Sequence, residues 1–373
     1  MCNGIALTCV IFKLKTLIRS SVKNLRHYNS TNVSGDRSMD LILGYYSDIT
    51  QRSNSQALEN AVIAEREGFD SVWTGDHFHP WVHTDARSAF AWVWLGALGQ
   101  RTNHVSIGTG LTAPIIRYHP GIVAQAFATL GDMYPGRVFI GLGTGEAMNE
   151  LPLGLEWPSL RERRERLEEA VRIMRMLWTQ DFCTFRGKYY RLNKANLYTK
   201  PKTPVRIYIA ANGPRGAELA GRFGDGFLTL PFPDDHYTDV LFPAMEKGAK
   251  MAGRDPSKIE KLMELQMSYD EDYDKAVASA RWWAPTVMPI FFKAPISDPR
   301  EIEAHGKLVS EEGLLTGWFI SSSLDDHIKN IEHYIKLGFN NIHLQSSSPD
   351  ESNFIRTFGK KVLPYIRDTY GDR

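Results

Sequence analysis

From residue 41 onward, short apolar runs alternate with longer amphipathic segments of helical period, the pattern of a parallel sheet whose strands are joined by helical crossovers. Eight runs read as strands: Leu41–Tyr45, Ser71–Thr74, Val105–Thr109, Val138–Gly141, Val205–Ala210, Gly226–Thr229, Leu262–Met267 and Asn341–Gln345. Ser55–Glu67 and Leu160–Leu177 are among the stretches between them that read as helices. Eight strands in this alternation predict a closed α/β structure, a (β/α)8 TIM barrel with insertions. A doubly wound sheet is the weaker alternative, because no Gly-x-Gly-x-x-Gly follows the first strand. Two stretches exceed ordinary connections. They are Trp178–Pro204, with the hairpin-like Phe185-Arg186-Gly187-Lys188-Tyr189-Tyr190, and Arg281–Thr316, rich in Trp and Pro; both read as insertions or lids.

Composition narrows the partners. Lys+Arg 44 against Asp+Glu 43 leaves no global basic field, which argues against nucleic acid or an anionic membrane surface as the main partner. Cys2, Cys9 and Cys183 have no metal-type spacing and form no disulfide framework, so a reducing, cytoplasmic setting is expected, with Cys183 an inert packing thiol. Residues 1–38 stand apart: no acid occurs before Asp36, while Lys13, Lys15, Arg19, Lys23 and Arg26 accumulate. Ile5 to Phe12 is too short to span a bilayer and precedes its charges, the reverse of a secretory signal. Met39 therefore reads as the natural start, residues 1–38 as a disordered or non-native leader, and residues 39–373 as one barrel domain.

Chemically capable residues gather just after the strands. Thr74-Gly75-Asp76-His77-Phe78-His79-Pro80-Trp81 brings an acid, imidazoles and an indole into one loop; Gly108-Thr109-Gly110, Gly143-Thr144-Gly145-Glu146 and Ala210-Ala211-Asn212-Gly213-Pro214 follow later strands. In a barrel all of these meet at the C-terminal face, where active sites sit. Gly141, Gly143 and Gly145 remove bulk, so that a flat ring or an anionic tail can approach the backbone. Glu146 is either a proton donor beside a cofactor or a charge at a helix start. The Asn212-Gly213-Pro214 turn precedes a helix beginning near Arg215 and suits a phosphate held by backbone N–H groups. His77, His79 and His83 invite a metal, yet no further ligand or H-E-x-x-H helix supports one, and no metal is expected. The tryptophans at 92, 94 and 318 read as core, whereas Trp282 and Trp283 are placed to wall an apolar pocket.

With these residues in view, the chain from Met39 to about Asp368 resembles the luciferase-like barrel superfamily, in particular its dehydrogenases that use coenzyme F420, an 8-hydroxy-5-deazaflavin. The stretches that carry the resemblance are Asp76-His77-Phe78-His79-Pro80-Trp81, Arg117-Tyr118-His119-Pro120, Tyr134-Pro135-Gly136-Arg137-Val138 and Gly145-Glu146-Ala147-Met148-Asn149-Glu150. Glu156-Trp157-Pro158-Ser159, Leu197-Tyr198-Thr199-Lys200-Pro201 and Ser347-Ser348-Pro349-Asp350 add to them. His79 and the Ser347–Asp350 segment look closer to the secondary alcohol dehydrogenase branch than to the glucose-6-phosphate dehydrogenase branch. Of the phosphate-holding positions of the latter, Lys293 is kept, while Leu230 and Gly317 stand where polar and basic groups are found, and a lysine near Pro233 is absent.

The resemblance implies hydride transfer from an alcohol carbon to the deazaflavin, with His77 as base, Trp81 steadying the developing charge and Glu146 protonating the ring. It implies coenzyme contacts at Asp76, Gly110, Leu111, Thr144, Gly145, Asn149, Ala211, Asn212 and Gly213, with Asp76 also orienting His77, and a nonprolyl cis peptide at Gly110-Leu111. Substrate contacts are expected at Met267, Trp283, Thr286 and Lys293, and the active form is expected to be a homodimer. A glutamate found in both branches after the first strand is replaced by Thr50, with Asp48 close by. A flavin-dependent monooxygenase and a non-catalytic flavin carrier are the alternatives on the same fold.

Overall fold

The computed structural model describes residues 41–371, so the expected leader at 1–38 lies outside the described residues. Among the described residues there are eleven strands: β1 Ile42–Tyr46, β2 Ser71–Thr74, β3 Ser106–Thr109, β4 Phe139–Leu142, β5 Cys183–Arg186, β6 Arg191–Ala195, β7 Arg206–Ala210, β8 Gly226–Thr229, β9 Glu260–Tyr269, β10 Phe319–Ser321 and β11 Asn341–Ser346. Eight of them follow one parallel path, β3-β2-β1-β11-β9-β8-β7-β4. Parallel bridges between Ile107 and Val138 and between Thr112 and Leu142 join its two ends, closing the (β/α)8 barrel that the alternation predicts.

Two of the long helices start at serine caps. Ser53 accepts from the Gln56 N–H at the start of Asn54–Arg66, and Ser159 accepts from Glu162 at the start of Leu160–Thr179. The main core lies between barrel and helices and is built from the outward-facing strand residues, Leu43 and Tyr45 of β1 and Met263, Leu265 and Met267 of β9 among them. The inward-facing residues make a separate lumen cluster of Tyr46, Trp73, Phe139, Tyr208, Leu228 and Leu262.

Both long insertions are ordered and packed. Trp178–Pro204 contains the antiparallel β5–β6 hairpin, whose turn donates the Lys188, Tyr189 and Tyr190 N–H groups to Glu169. Cys183 is buried there, its thiol directed at the Met176 carbonyl, as a packing residue would be. Arg281–Thr316 folds into short helices over a small core of its own, with Trp283, Phe291, Ile302, Leu314 and Trp318 closing on Trp81 and Met148. Two strand features exceed expectation: β9 runs on to Tyr269, and β10 pairs with that extension through Met267, Ser268 and Tyr269.

Candidate active site

The loop after β2 enters the barrel mouth at Gly75, where a Cβ would lie 2.7 Å from the Tyr46 hydroxyl and 3.0 Å from His77 Cδ2. Only glycine lets the backbone pass this close. His77 is mostly buried, with Nδ1 3.8 Å from Glu146 Oε2 and otherwise without a hydrogen-bond partner. Asn149 fixes this approach from both sides, donating through Nδ2 to Glu146 Oε2 at 3.2 Å and accepting the Phe78 N–H at Oδ1 at 2.8 Å. The Gly145–Glu150 segment is thereby tied to the His77 loop.

Burial sets the protonation of this pair. It pulls the His77 imidazole down to about 4, with the Arg117 charge adding to the effect. It pushes the Glu146 carboxyl up to about 7, against the opposing influence of Arg117, Asn149 and Arg163. Near neutrality a neutral imidazole therefore faces a carboxyl that still holds much of its proton, the arrangement a base and an acid require.

Asp76 departs from expectation. Its buried carboxylate accepts from Thr112 Oγ1 at 3.0 Å and Tyr118 OH at 3.2 Å and pairs with Arg117 at 3.2 Å, so it anchors the loop from below and does not orient His77. Arg117 also donates to the Asp76 carbonyl at 2.8 Å, which fixes the backbone one residue before His77.

Beside this loop, after the neighbouring strand β3, the Gly110-Leu111 peptide is cis, as the resemblance implies, and the Leu111 carbonyl accepts the Asp76 N–H at 3.3 Å. Leu111 is half-exposed at the mouth, and its side chain occupies the space that Cβ atoms at Gly141 and Gly143 would need, at 2.8 and 3.0 Å. Those two glycines accommodate Leu111 and not a ligand directly, a correction to their first assignment. Gly145 has φ +69, and Arg163 donates to the carbonyls of Thr144 and Gly145 while stacking over Trp157. Gly213 caps the helix Pro214–Phe223, and a Cβ there would meet nothing within 4 Å. Exposed Asn212 accepts from Thr229, while Ala211 is buried with its methyl toward Gly216 and its N–H on the Leu228 carbonyl, so its side chain turns away from the mouth.

The substrate positions divide. Trp283 is buried in one cluster with Trp81 and stacks on Trp318 at 5.7 Å. Thr286 ties that pair together, donating to the Trp283 carbonyl at 2.7 Å and accepting from Trp318 Nε1 at 3.2 Å, so its hydroxyl is already engaged. Lys293 is exposed at the end of the short helix Ile290–Lys293 and makes no ion pair among the described residues. Met267 is contradicted: it is fully buried in the outer core, because its strand parity is that of Met263 and Leu265. Glu264 and Gln266 share the parity of Leu262 and face the lumen instead. Counting alternation from Leu262 along the expected strand finds both, and the same count along β1 finds Tyr46. Thr50 gives its hydroxyl to the buried Asp48 at 2.7 Å, which leaves that position without a free acid. Among the described residues no group of three metal-type ligands converges, and His79 instead places Nδ1 3.0 Å from the Ser297 carbonyl of the insertion.

Residues 44–341 match the family model described as luciferase-like monooxygenase. The chain is 42% identical over 329 residues, 88% of its length and 97% of the relative's, to the F420-dependent glucose-6-phosphate dehydrogenase of Nakamurella multipartita. The enzyme of the same name from Microbacterium testaceum is 41% identical over 331 residues, covering 88% of this chain and 98% of that one. Among solved structures, an F420-dependent secondary alcohol dehydrogenase in complex with an F420-acetone adduct superposes with a TM-score of 0.85 at 46% identity, covering 88% of this chain and all of that one. A coenzyme F420 dependent tetrahydromethanopterin reductase from Methanopyrus kandleri, 21% identical with a TM-score of 0.71 and covering 88% of this chain and 99% of that one, shares the fold.

Proposed function

The chain belongs to the luciferase-like monooxygenase family, and on that premise we propose that it is a coenzyme F420-dependent dehydrogenase that oxidises a small secondary alcohol. The observation that carries this is the neutral imidazole of His77 held against the protonatable carboxyl of Glu146 at 3.8 Å, beside a half-exposed Leu111. The residues fit the coenzyme. Leu111 offers an apolar face for a flat ring, and the open helix start at Gly213 suits an anionic tail, with Arg215 in its first turn and Arg164 near enough to feel its charge. Thr144, Gly145 and Asn149 follow β4, the strand next to the β7 that leads to Gly213.

When bound, the deazaflavin supplies a two-electron hydride acceptor. His77 takes the hydroxyl proton, Glu146 provides a proton to the ring system, and Trp81, packed against Phe292 at 5.2 Å, closes the substrate side. Asn149 and Arg117 hold these groups in register, and the insertion excludes water from them. The described residues act as one barrel domain.

A secondary alcohol suits the lumen better than a sugar phosphate, because Glu264, Gln266, Gln345 and Tyr46 offer a dianion no cation there. Glucose 6-phosphate is the second substrate, favoured by the names of the curated relatives and by Lys293. Comparing kcat/KM for 2-propanol and glucose 6-phosphate, with loss of coenzyme absorbance as the signal, decides the order; preference for the sugar phosphate overturns the alcohol assignment. We also propose a cytoplasmic homodimer. Its support is the cysteine usage and the exposed Phe90, Val93 and Ile122 at the two helices following β2 and β3, and sedimentation velocity tests it.

A further inference from the structure

We propose that Glu303, on the insertion that follows β9, is a positioning residue for the substrate side of the site: its carboxylate grips the far end of the loop after β2 and so keeps the Trp81 indole seated beside His77. Its bearing on catalysis rests on the reading of Trp81 given above, as the residue that closes the substrate side.

The loop is held firmly at its near end and thinly buried at its outer one. Arg117 donates to the Asp76 carbonyl at 2.8 Å, and Asn149 accepts the Phe78 N–H at 2.8 Å. Trp81 and Val82 are buried, whereas His83, Thr84 and Asp85 are exposed, and Asp85 takes a left-handed φ of 55°. The chain then returns to the barrel at Arg87, whose N–H meets the Thr50 carbonyl at 2.7 Å. An exposed stretch of this kind has little packing of its own to hold it.

Glu303 supplies that hold. It stands in the helix Pro299–Gly306, next to Ile302, which is fully buried in the small core that contains Trp81. Oε2 accepts the N–H groups of both His83 and Thr84 at 2.9 Å, and Oε1 accepts the Thr84 hydroxyl at 2.8 Å. Two consecutive amides on one carboxylate oxygen fix the direction of the chain there, and hydrogen bonds to an ionised acceptor are the stronger kind. Lys307, one helical turn on, pairs with Oε1 at 2.8 Å.

A second tie joins the same two elements, with His79 Nδ1 3.0 Å from the Ser297 carbonyl. In sequence Trp81 lies between the two ties, and its ring is 6.1 Å from that of His77 and 5.2 Å from that of Phe292 on the insertion. Cutting the Glu303 tie leaves Ile302 and the rest of the small core in place, so the insertion still folds. What is lost is the register of the loop against it, and with that register the seat of the indole.

The test compares E303A, E303Q and K307A with wild type. Glutamine keeps an oxygen for the two N–H groups and an amide for the Thr84 hydroxyl, so E303Q is expected to rescue what E303A loses, and K307A, which removes only the cation, to match wild type. In the ligand-free protein, hydrogen exchange at the His83 and Thr84 amides should speed about tenfold in E303A and stay near the wild-type rate in E303Q. With 5-fluorotryptophan in place of tryptophan, the 19F resonance assigned to Trp81 by its loss in Trp81→Phe should move or broaden in E303A alone. KM for 2-propanol should rise about tenfold in E303A, with a smaller change in kcat and little change in coenzyme affinity. Amides that exchange as fast in wild type as in E303A, an unmoved Trp81 resonance, an unmoved KM, or an E303Q or K307A as impaired as E303A would each overturn the proposal. Should E303A not fold, E303D, which draws the carboxylate back by one methylene, is read against the same outcomes. The two readings fail separately: a wild type inert toward 2-propanol overturns the alcohol assignment, while the exchange rates and fluorine spectra, recorded without ligand, still decide whether Glu303 seats Trp81.

Discussion

His77 and Glu146 are moved in opposite directions by the same cause, exclusion of water, and this makes their roles testable by pH. Alcohol oxidation needs neutral His77 and protonated Glu146, so kcat/KM is expected to fall below about pH 4 as the imidazole gains a proton and above about pH 7 as the carboxyl loses one. A profile flat through pH 7 would remove Glu146 from the acid role. His77→Ala and Glu146→Gln should each lower kcat by roughly 10²- to 10⁴-fold while coenzyme affinity changes little, a split that fluorescence titration and steady-state rates resolve together. Asp76 behaves otherwise. With its carboxylate committed to Arg117, Thr112 and Tyr118, its loss disturbs the whole loop and not one proton transfer.

At the level of elements, strand parity decides which residues meet substrate. Met267→Ala is expected to cost about 2–5 kcal/mol in urea unfolding, because a fully buried core side chain is truncated, while leaving KM near its original value. Gln266→Leu should do the reverse, shifting KM with little loss of stability, and equal effects on KM from both variants would refute the parity assignment. The eight barrel strands were legible in the sequence because each is a short apolar run bounded by turn residues, with ends displaced by only a residue or two in most. The loop chemistry was legible too, since Asp76, His77, Glu146 and Gly213 follow strand ends and a barrel gathers such ends on one face. Where the residue types alone misled, partners were the reason. Thr286 and Asp76 look free in sequence, but the Thr286 hydroxyl is turned onto the Trp283 carbonyl within its own helical turn, and Trp318, Arg117 and Thr112 reach the two residues from distant parts of the chain. The strand β10 is three residues long and exists through pairing with Met267–Tyr269, a tertiary condition that no local pattern announces.

For the whole molecule, the barrel mouth and the coenzyme stand in a mass-action relation. A ligand that binds only the folded chain adds about 2.7 kcal/mol at a hundredfold excess over its Kd, so coenzyme F420 is expected to raise Tm markedly and FMN at the same concentration to leave it nearly unchanged. An equal rise with FMN would move the chain toward monooxygenase chemistry.

The junction of β10 with the end of β9 also bears on how this enzyme type can be altered. The segment over the His77 loop is not a detachable flap: it leaves the barrel at Tyr269, wraps its own small core around Trp81, and is sewn back to the same strand by Phe319–Ser321 before the last barrel strand begins. A specificity cassette exchanged between relatives therefore has to be cut at Met267 and Ser321, carrying both halves of that seam, since a shorter graft would leave one ladder edge without its mate and a tryptophan without its socket.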